Sequence, residues 1–387
     1  MLLSDYATKT EIMNRAMATV PDLWPIGIDY GFSSVKGISP NKIFCYPNCA
    51  VPTTSFSTLL DCTEHDILLK DAEGLWIIGE KAHDIISPEN AMNYESEMYE
   101  RNRYFSPVFR ALMKVGLGIA LQSNYCRKYN GEPIMIQTGL PPEYKELDSE
   151  AFKEALAGDY EFDLKIGSNP FRRFKFSISM ENIYIMDQPM GSLFSAITDK
   201  DGKQGQAGVR VLKSSTLVFD PGFKTFDIYN ISGGVFQNSH TFDFLGMHEI
   251  FKRTIADMKK SHVTNITILG MQDALKKGYI TTFNRRQMSS QNIPFDTELE
   301  KNTREVCIEA IQKVTSLYNY LQNHEYLIVT GGTGNAWFPI IKDYFRNMSS
   351  LTILSANRND KLLSNTYSNV RGYYYYLVGM LKRRFRK

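Results

Sequence analysis

A chain of 387 residues, 43% hydrophobic, 22% charged and 12% aromatic, carries material for two folded domains and excludes a disordered or fibrous protein. Its 44 Lys and Arg against 42 Asp and Glu leave a formal charge of +2, so no overall field draws it onto DNA or anionic lipid. No apolar run reaches the ~18 residues of a membrane span. The first residues lack a secretory signal, and five cysteines read as reduced thiols, which together imply a cytoplasmic protein.

Residues 1–24 read as an N-terminal extension. Ser4 or Asp5 caps a short amphipathic helix with Ile12, Met13, Ala16 and Met17 on one side, which Pro21 and Pro25 then break. Ile26 to Asp29 and Val35 to Ile38 predict a hairpin around a glycine turn. Apolar residues at helical spacing predict a helix from about Phe105 to Tyr129, followed by a strand at Pro133 to Thr138. A polar helix near 144–157 precedes strands near 161–167, 172–179 and 183–186, and a helix begins near Pro189. The polar, glycine-rich run from Asp199 to Gly208 suits a domain junction. Strand, glycine turn and strand then recur at Leu217 to Ile231. Helices follow at Gly246 and about 296–323, and a strand at Tyr326 to Thr330. The pattern is that of a duplicated α/β architecture with mixed sheets.

Three glycine turns carry the chemistry. In Asp29-Tyr-Gly31-Phe32-Ser33-Ser34-Val-Lys36, a turn between strands exposes consecutive N–H groups to an anion. Gly31 lets phosphate approach the main chain, Lys36 adds a point charge, and Asp29 suits metal-bound water. Alone, such a turn is more often just a turn. Asp220-Pro-Gly222-Phe223-Lys224-Thr225-Phe-Asp227 repeats it in the second half, so that Asp29 and Asp220 could flank one ion. Gly331-Gly332-Thr333-Gly334 is a strand-to-helix run that admits a nucleoside closely.

In order and spacing these turns resemble the phosphate and adenosine motifs of the actin-like ATPase superfamily. Gly79-Glu80-x-Ala82, Thr138-Gly-Leu-Pro141, Gly246-Met247 and Ser368-Asn-Val-Arg-Gly372 resemble its ParM/StbA-like plasmid-partitioning branch. The resemblance implies an actin-like (ribonuclease H-like) fold with two related domains around a nucleotide cleft. Domain I would be 25–200 plus 361–387, with a subdomain insertion near 40–105, and domain II 201–360. It implies ATP with Mg²⁺ (GTP also possible), Asp29 and Asp220 holding the ion through water, and Gln188 aligning the attacking water. The bland reading of Gln188 is a strand-end side chain satisfying backbone. The implied function is a filament-forming, slowly hydrolysing protein that segregates plasmid DNA through a DNA-binding adaptor on a centromere-like site, without touching DNA or membrane itself. The resemblance departs at Phe223, where the family often has glycine: the side chains here point away from phosphate, or Lys224 adds a charge to it.

Two rival functions use the same fold. A sugar- or acetate-type kinase needs a base for the acceptor hydroxyl, with Asp187 the nearby aspartate. A cell-shape or division actin would tether through the basic residues 382–387. Other features have plainer readings. Cys45, Cys49 and Cys62, which with His65 could be drawn as a zinc site, read better as buried free thiols. Tyr373 to Tyr376 read as core, and Arg172, Arg173 and Lys175 as either one charged side of a strand or a nucleic-acid face.

Overall fold

The computed structural model describes residues 6–56, 63–261, 265–284 and 286–384. Two sheets of like topology form the frame. In the first lobe, Trp24–Tyr30, Ser34–Ile38 and Lys42–Pro47 make an antiparallel meander, and Ile134–Leu140 and Ile183–Asp187 add in parallel beside Trp24–Tyr30. In the second, Thr216–Pro221, Thr225–Ser232 and Val235–Asp243 make the meander, and Tyr326–Val329 and Thr352–Ser355 add in parallel. Both central strands are buried along their length, as strands covered by helices on two faces must be. The duplication expected from the sequence is therefore a repeated five-strand topology.

Residues 6–20 depart from expectation. Glu11–Asn14 is a strand, not a helix, and pairs antiparallel with Lys42–Pro47 as a sixth strand of the first sheet. Ile12 packs on the core of one sheet face and Met13 on that of the other, the period of two that a strand imposes. Helical spacing and this alternation share residues 12 and 13, and open backbone groups on the neighbouring strand decide between them. The proposed caps Ser4 and Asp5 lie outside the described residues.

The inserted subdomain also draws on more chain than 40–105. Its sheet contains Ala50–Thr53, Gly74–Ile78 and Ile67–Asp71, but also Gly158–Ile166 and Arg172–Ile178. Tyr160, Phe162 and Leu164 alternate inward and carry these late strands onto the early ones. Within the last strand Arg173 and Lys175 pair with Glu161, and Arg172 lies over the Phe174 ring, as a solvated strand face does. The helix Pro107–Leu121 stops short of Tyr129, because the Asn124 side chain turns the chain by accepting from the N–H groups of Cys126 and Arg127.

The last helix, Ser368–Arg384, is core: Tyr373, Tyr374 and Tyr375 are buried. It crosses the helix Gln188–Ile197 so closely that a Cβ on Gly372 would sit 1.7 Å from the Gly191 carbonyl. Arg371 is buried beside this crossing and donates to the carbonyls of Ser195, Thr198 and Asp199, capping the end of the partner helix. Cys45 and Cys49 are buried, and burial pushes the Cys45 thiol up to about 11; Cys62 lies outside the described residues. Among the described residues no helix is long and apolar enough to cross a membrane.

Candidate functional site

The two hairpins meet at one cavity of about 290 Å³ between the lobes. Each is tight for the same reason. A Cβ on Gly31 would lie 2.9 Å from the Ser34 carbonyl oxygen, and one on Gly222 3.1 Å from that of Thr225. Asn48 holds the first turn by donating to the Gly31 carbonyl at 2.7 Å. Thr333 ties the third glycine run to the second turn through a 3.0 Å hydrogen bond to the Gly222 carbonyl. Gly331 has φ +79, and a Cβ there would meet the Pro221 carbonyl at 3.1 Å and Asp220 Oδ1 at 3.2 Å, so both conformation and space require glycine. A Cβ on Gly332 would make only an ordinary contact, 3.6 Å from Thr366 Oγ1, so the space beside it does not itself require glycine.

Of the residues expected at the site, Asp29, Gly31, Phe32, Ser33, Ser34, Lys36 and Gln188 line this cavity from the first lobe. Asp220, Gly222, Phe223, Thr225, Asp227, Gly331, Gly332 and Thr333 line it from the second. Lys224 does not. Its Nζ donates to the Tyr99 carbonyl at 2.8 Å and lies among the rings of Phe32, Tyr144 and Phe244, where burial lowers its pKa. Lys224 lies in the turn between Thr216–Pro221 and Thr225–Ser232, and its side chain leaves that turn towards the Tyr99 carbonyl, so it joins the lobes instead of reaching into the cleft. Asp187, the base a kinase would need, is absent from the cavity wall and pairs with Lys145 at 2.7 Å.

The charges at the floor are coupled. Lys36 Nζ lies 3.2 Å from Asp29 Oδ2. Burial pulls this ammonium down, but Asp29, with Cys45 and Asp220, outweighs burial and holds it above the ordinary lysine value. Gln188 Nε2 donates to Asp29 Oδ1 at 3.1 Å. Burial pushes Asp220 up to about 6; an Asn369 hydrogen bond pulls it back, while Asp29 adds repulsion. Burial and then Asp220 also raise Asp227, whose Oδ1 is buried without a hydrogen-bond partner among the described residues. Three carboxylates that repel one another, one with an orphan oxygen, suit a divalent cation. No group of three His, Cys, Asp or Glu side chains among the described residues could hold an ion by itself. A Mg²⁺ would fit here through water and ligand phosphates, the way that ion is usually kept.

Sequence reasoning missed several members. Asn369 donates to Asp220 Oδ2 at 2.8 Å and accepts from Ser192, which also bonds Thr330. Asn369 sits inside the Ser-Asn-Val-Arg-Gly run that opens the last helix, and a small polar pair before a helix glycine was its signal. Tyr6 to Lys9 and Glu11 also line the cavity; the sequence left their segment as either a polymer contact or a cap over the cleft and singled out none of these residues.

Residues 27–191 match the family described as "Actin like proteins N terminal domain". The fold is actin-like. It superposes on a structure described as "pCBH ParM non-polymerisable quadruple mutant" with a TM-score of 0.69 and 21% identity, covering 92% of this chain and 98% of that one. A 15-stranded ParM filament from Clostridium botulinum gives 0.67 at 21% identity, with 92% and 98% covered. Ta0583, an archaeal actin homologue, gives 0.64 at 16% identity, with 93% and 99% covered. No curated protein matches the chain by sequence.

Proposed function

We propose that this actin-like chain binds and slowly hydrolyses a nucleoside triphosphate and assembles with copies of itself into a filament. One observation carries the reading: two Asp-x-Gly hairpins and a nucleoside-admitting glycine run, distant in sequence, line a single inter-lobe cavity. In this reading the amides of Phe32 to Ser34 and of Phe223 to Thr225 hold phosphate, and Lys36 supplies a cation from the first lobe. Asp29 and Asp220 orient water around Mg²⁺, which would neutralise phosphate charge when bound. Gln188, now hydrogen-bonded to Asp29, exchanges that acceptor for the attacking water. Phosphoryl transfer to water needs such positioning more than a strong base, and a neutral amide makes it slow. Because the ligand is gripped by both lobes, phosphate loss alters their relative angle and hence any contact made through both.

The polymer reading draws on the ParM filament of the same fold, and the plasmid reading on the motif resemblance in the sequence. A DNA-binding adaptor on a centromere-like site would then make the link to DNA. The kinase alternative is weakened by the ion pair that occupies Asp187. Light scattering and negative-stain microscopy with ATP·Mg²⁺ and with GTP·Mg²⁺ test the reading. Filaments with a triphosphate that vanish in ADP are expected; flat scattering and bare grids at high protein concentration would overturn it.

A further inference from the structure

Before entering the first sheet at Glu11, the chain passes between the lobes. Tyr6 is buried in the second lobe against Phe251, and its OH donates to Thr303 Oγ1 at 2.9 Å. Gln272 of the same lobe accepts from the Thr8 N–H at 3.0 Å and donates to the Tyr6 carbonyl at 3.4 Å. Two residues on, the Thr10 N–H donates to Glu80 of the first lobe at 2.6 Å, and Glu80 in turn pairs with Lys276 of the second. Residues 6–10 are thus a strap bonded to both sides of the cleft. Ala7 packs on the same apolar cluster as Phe32 and Phe223, so the strap lies beside the tips of both glycine hairpins.

The strap also completes a charged row. Asp29 stands opposite Lys36, Lys36 opposite Cys45, and Cys45 opposite Glu11, across four adjacent strands. All four line the cavity, and Glu11 is held by the Tyr367 hydroxyl at 2.8 Å. Around the cavity stand Asp29, Asp220, Asp227 and Glu11, and among the described lining residues the cations are Lys36 and Lys9 alone. Lys36 is committed to Asp29. Lys9 is exposed, and no carboxylate among the described residues lies within ion-pair distance of it.

We propose that the strap is a third wall of the nucleotide site and that Lys9, without an ion-pair partner among the described residues, contacts the phosphate chain of the bound nucleotide. This rests on the cavity being the nucleotide site. A wall with four carboxyl groups to two ammonium groups disfavours a polyanion, so a cation held beside the cavity adds to what Lys36 and Mg²⁺ would supply. Lys9 is held at the cavity by chain bonded on both sides of it, which limits the entropy lost when it engages phosphate. The strap also obstructs the cleft, so exchange of nucleotide requires its bonds to yield.

The test is titration and stopped-flow displacement of a fluorescent ATP analogue, with adenosine as the uncharged comparison. Lys9→Glu, an exposed change, should weaken the triphosphate roughly five-fold or more while leaving adenosine binding unaltered. Gln272→Ala, which frees the strap with Lys9 intact, should speed dissociation. A wild-type protein that binds the analogue, with Lys9→Glu matching it in affinity, in dissociation rate and in salt dependence, overturns the inference and spares the nucleotide reading. A wild-type protein that binds neither ATP nor GTP analogue overturns both.

Discussion

Asp227 holds in the second lobe the register position that Lys36 holds in the first. Asp29 is paired across its hairpin with Lys36, and Asp220 across its own with Asp227. The duplicated hairpins therefore carry chemically opposite groups at equivalent points, a lysine in one and, in the other, an acid whose charge burial disfavours. Lys36→Met should cost roughly ten- to hundred-fold in triphosphate affinity, the worth of a charge-assisted hydrogen bond. Asp227→Asn should cost less, because burial already disfavours its charge. Nucleotide titration of both variants checks the order; equal losses would contradict the assignment.

Gln188 is expected to act on the chemical step and little on binding. Its amide donates to Asp29 Oδ1, a carboxylate of the cavity wall, where the bland reading expected a backbone partner. Gln188→Ala should lower single-turnover phosphate release about 10²-fold with nucleotide affinity changed by less than about three-fold. Filaments of this variant should persist in ATP. A variant that hydrolyses at the wild-type rate removes Gln188 from the reaction.

What the sequence made legible was local. Gly31 and Gly222 each answer to a near neighbour in the chain, and the residue types announce the turn. The fold followed because both lobes repeat the same meander. Asn369 was not legible, since its function depends on a helix crossing that brings residue 369 to residue 220. Nor was the strap: Thr8 and Thr10 are bonded to Gln272 and Glu80, partners far away in sequence and on opposite lobes. Lys224 misled for a related reason. A lysine between phosphate-turn residues reads as a phosphate ligand, but its partner is the Tyr99 carbonyl, 125 residues away in the chain.

Lys224→Met discriminates between those two readings. The side chain bonds a carbonyl across the lobes amid three rings, and methionine keeps most of that packing. Nucleotide affinity should stay within about two-fold of wild type, in contrast to Lys36→Met. Stability should change by about 1 kcal/mol or less, because the lost hydrogen bond is offset by relief of a buried charge. A ten-fold loss of affinity would return Lys224 to the phosphate site.

His83 should make the lobes acid-sensitive. It lies on the helix Glu80–Ile85, beside a second inter-lobe cavity shared with Asp273 and Lys277. Burial, and then the Lys276 ammonium, push it down to about 4, against an unfolded value near 6.5. The unfolded chain therefore binds the extra proton between these values, and stability falls as pH drops from about 6.5 towards 4. One such proton is worth at most about 1.4 kcal/mol per pH unit. Urea midpoints of wild type and His83→Gln across this window should converge at low pH; parallel curves would show that His83 does not contribute.

The crossing of the two inter-lobe helices gives the sharpest mechanical prediction. A Cβ on Gly372 would overlap the Gly191 carbonyl at 1.7 Å, and one on Gly191 would meet the Tyr373 ring at 2.4 Å. Neither neighbour can yield cheaply, since one is helix backbone and the other a fully buried ring. Gly372→Ala should therefore cost at least about 2–3 kcal/mol in urea or thermal unfolding, despite alanine's better helix propensity. The same crossing carries Asn369 to Asp220 and Gln188 to Asp29. Prying the helices apart should thus weaken nucleotide binding in whatever fraction remains folded. An alanine variant as stable as wild type, with unchanged affinity, would mean that the helices do not meet at these two glycines.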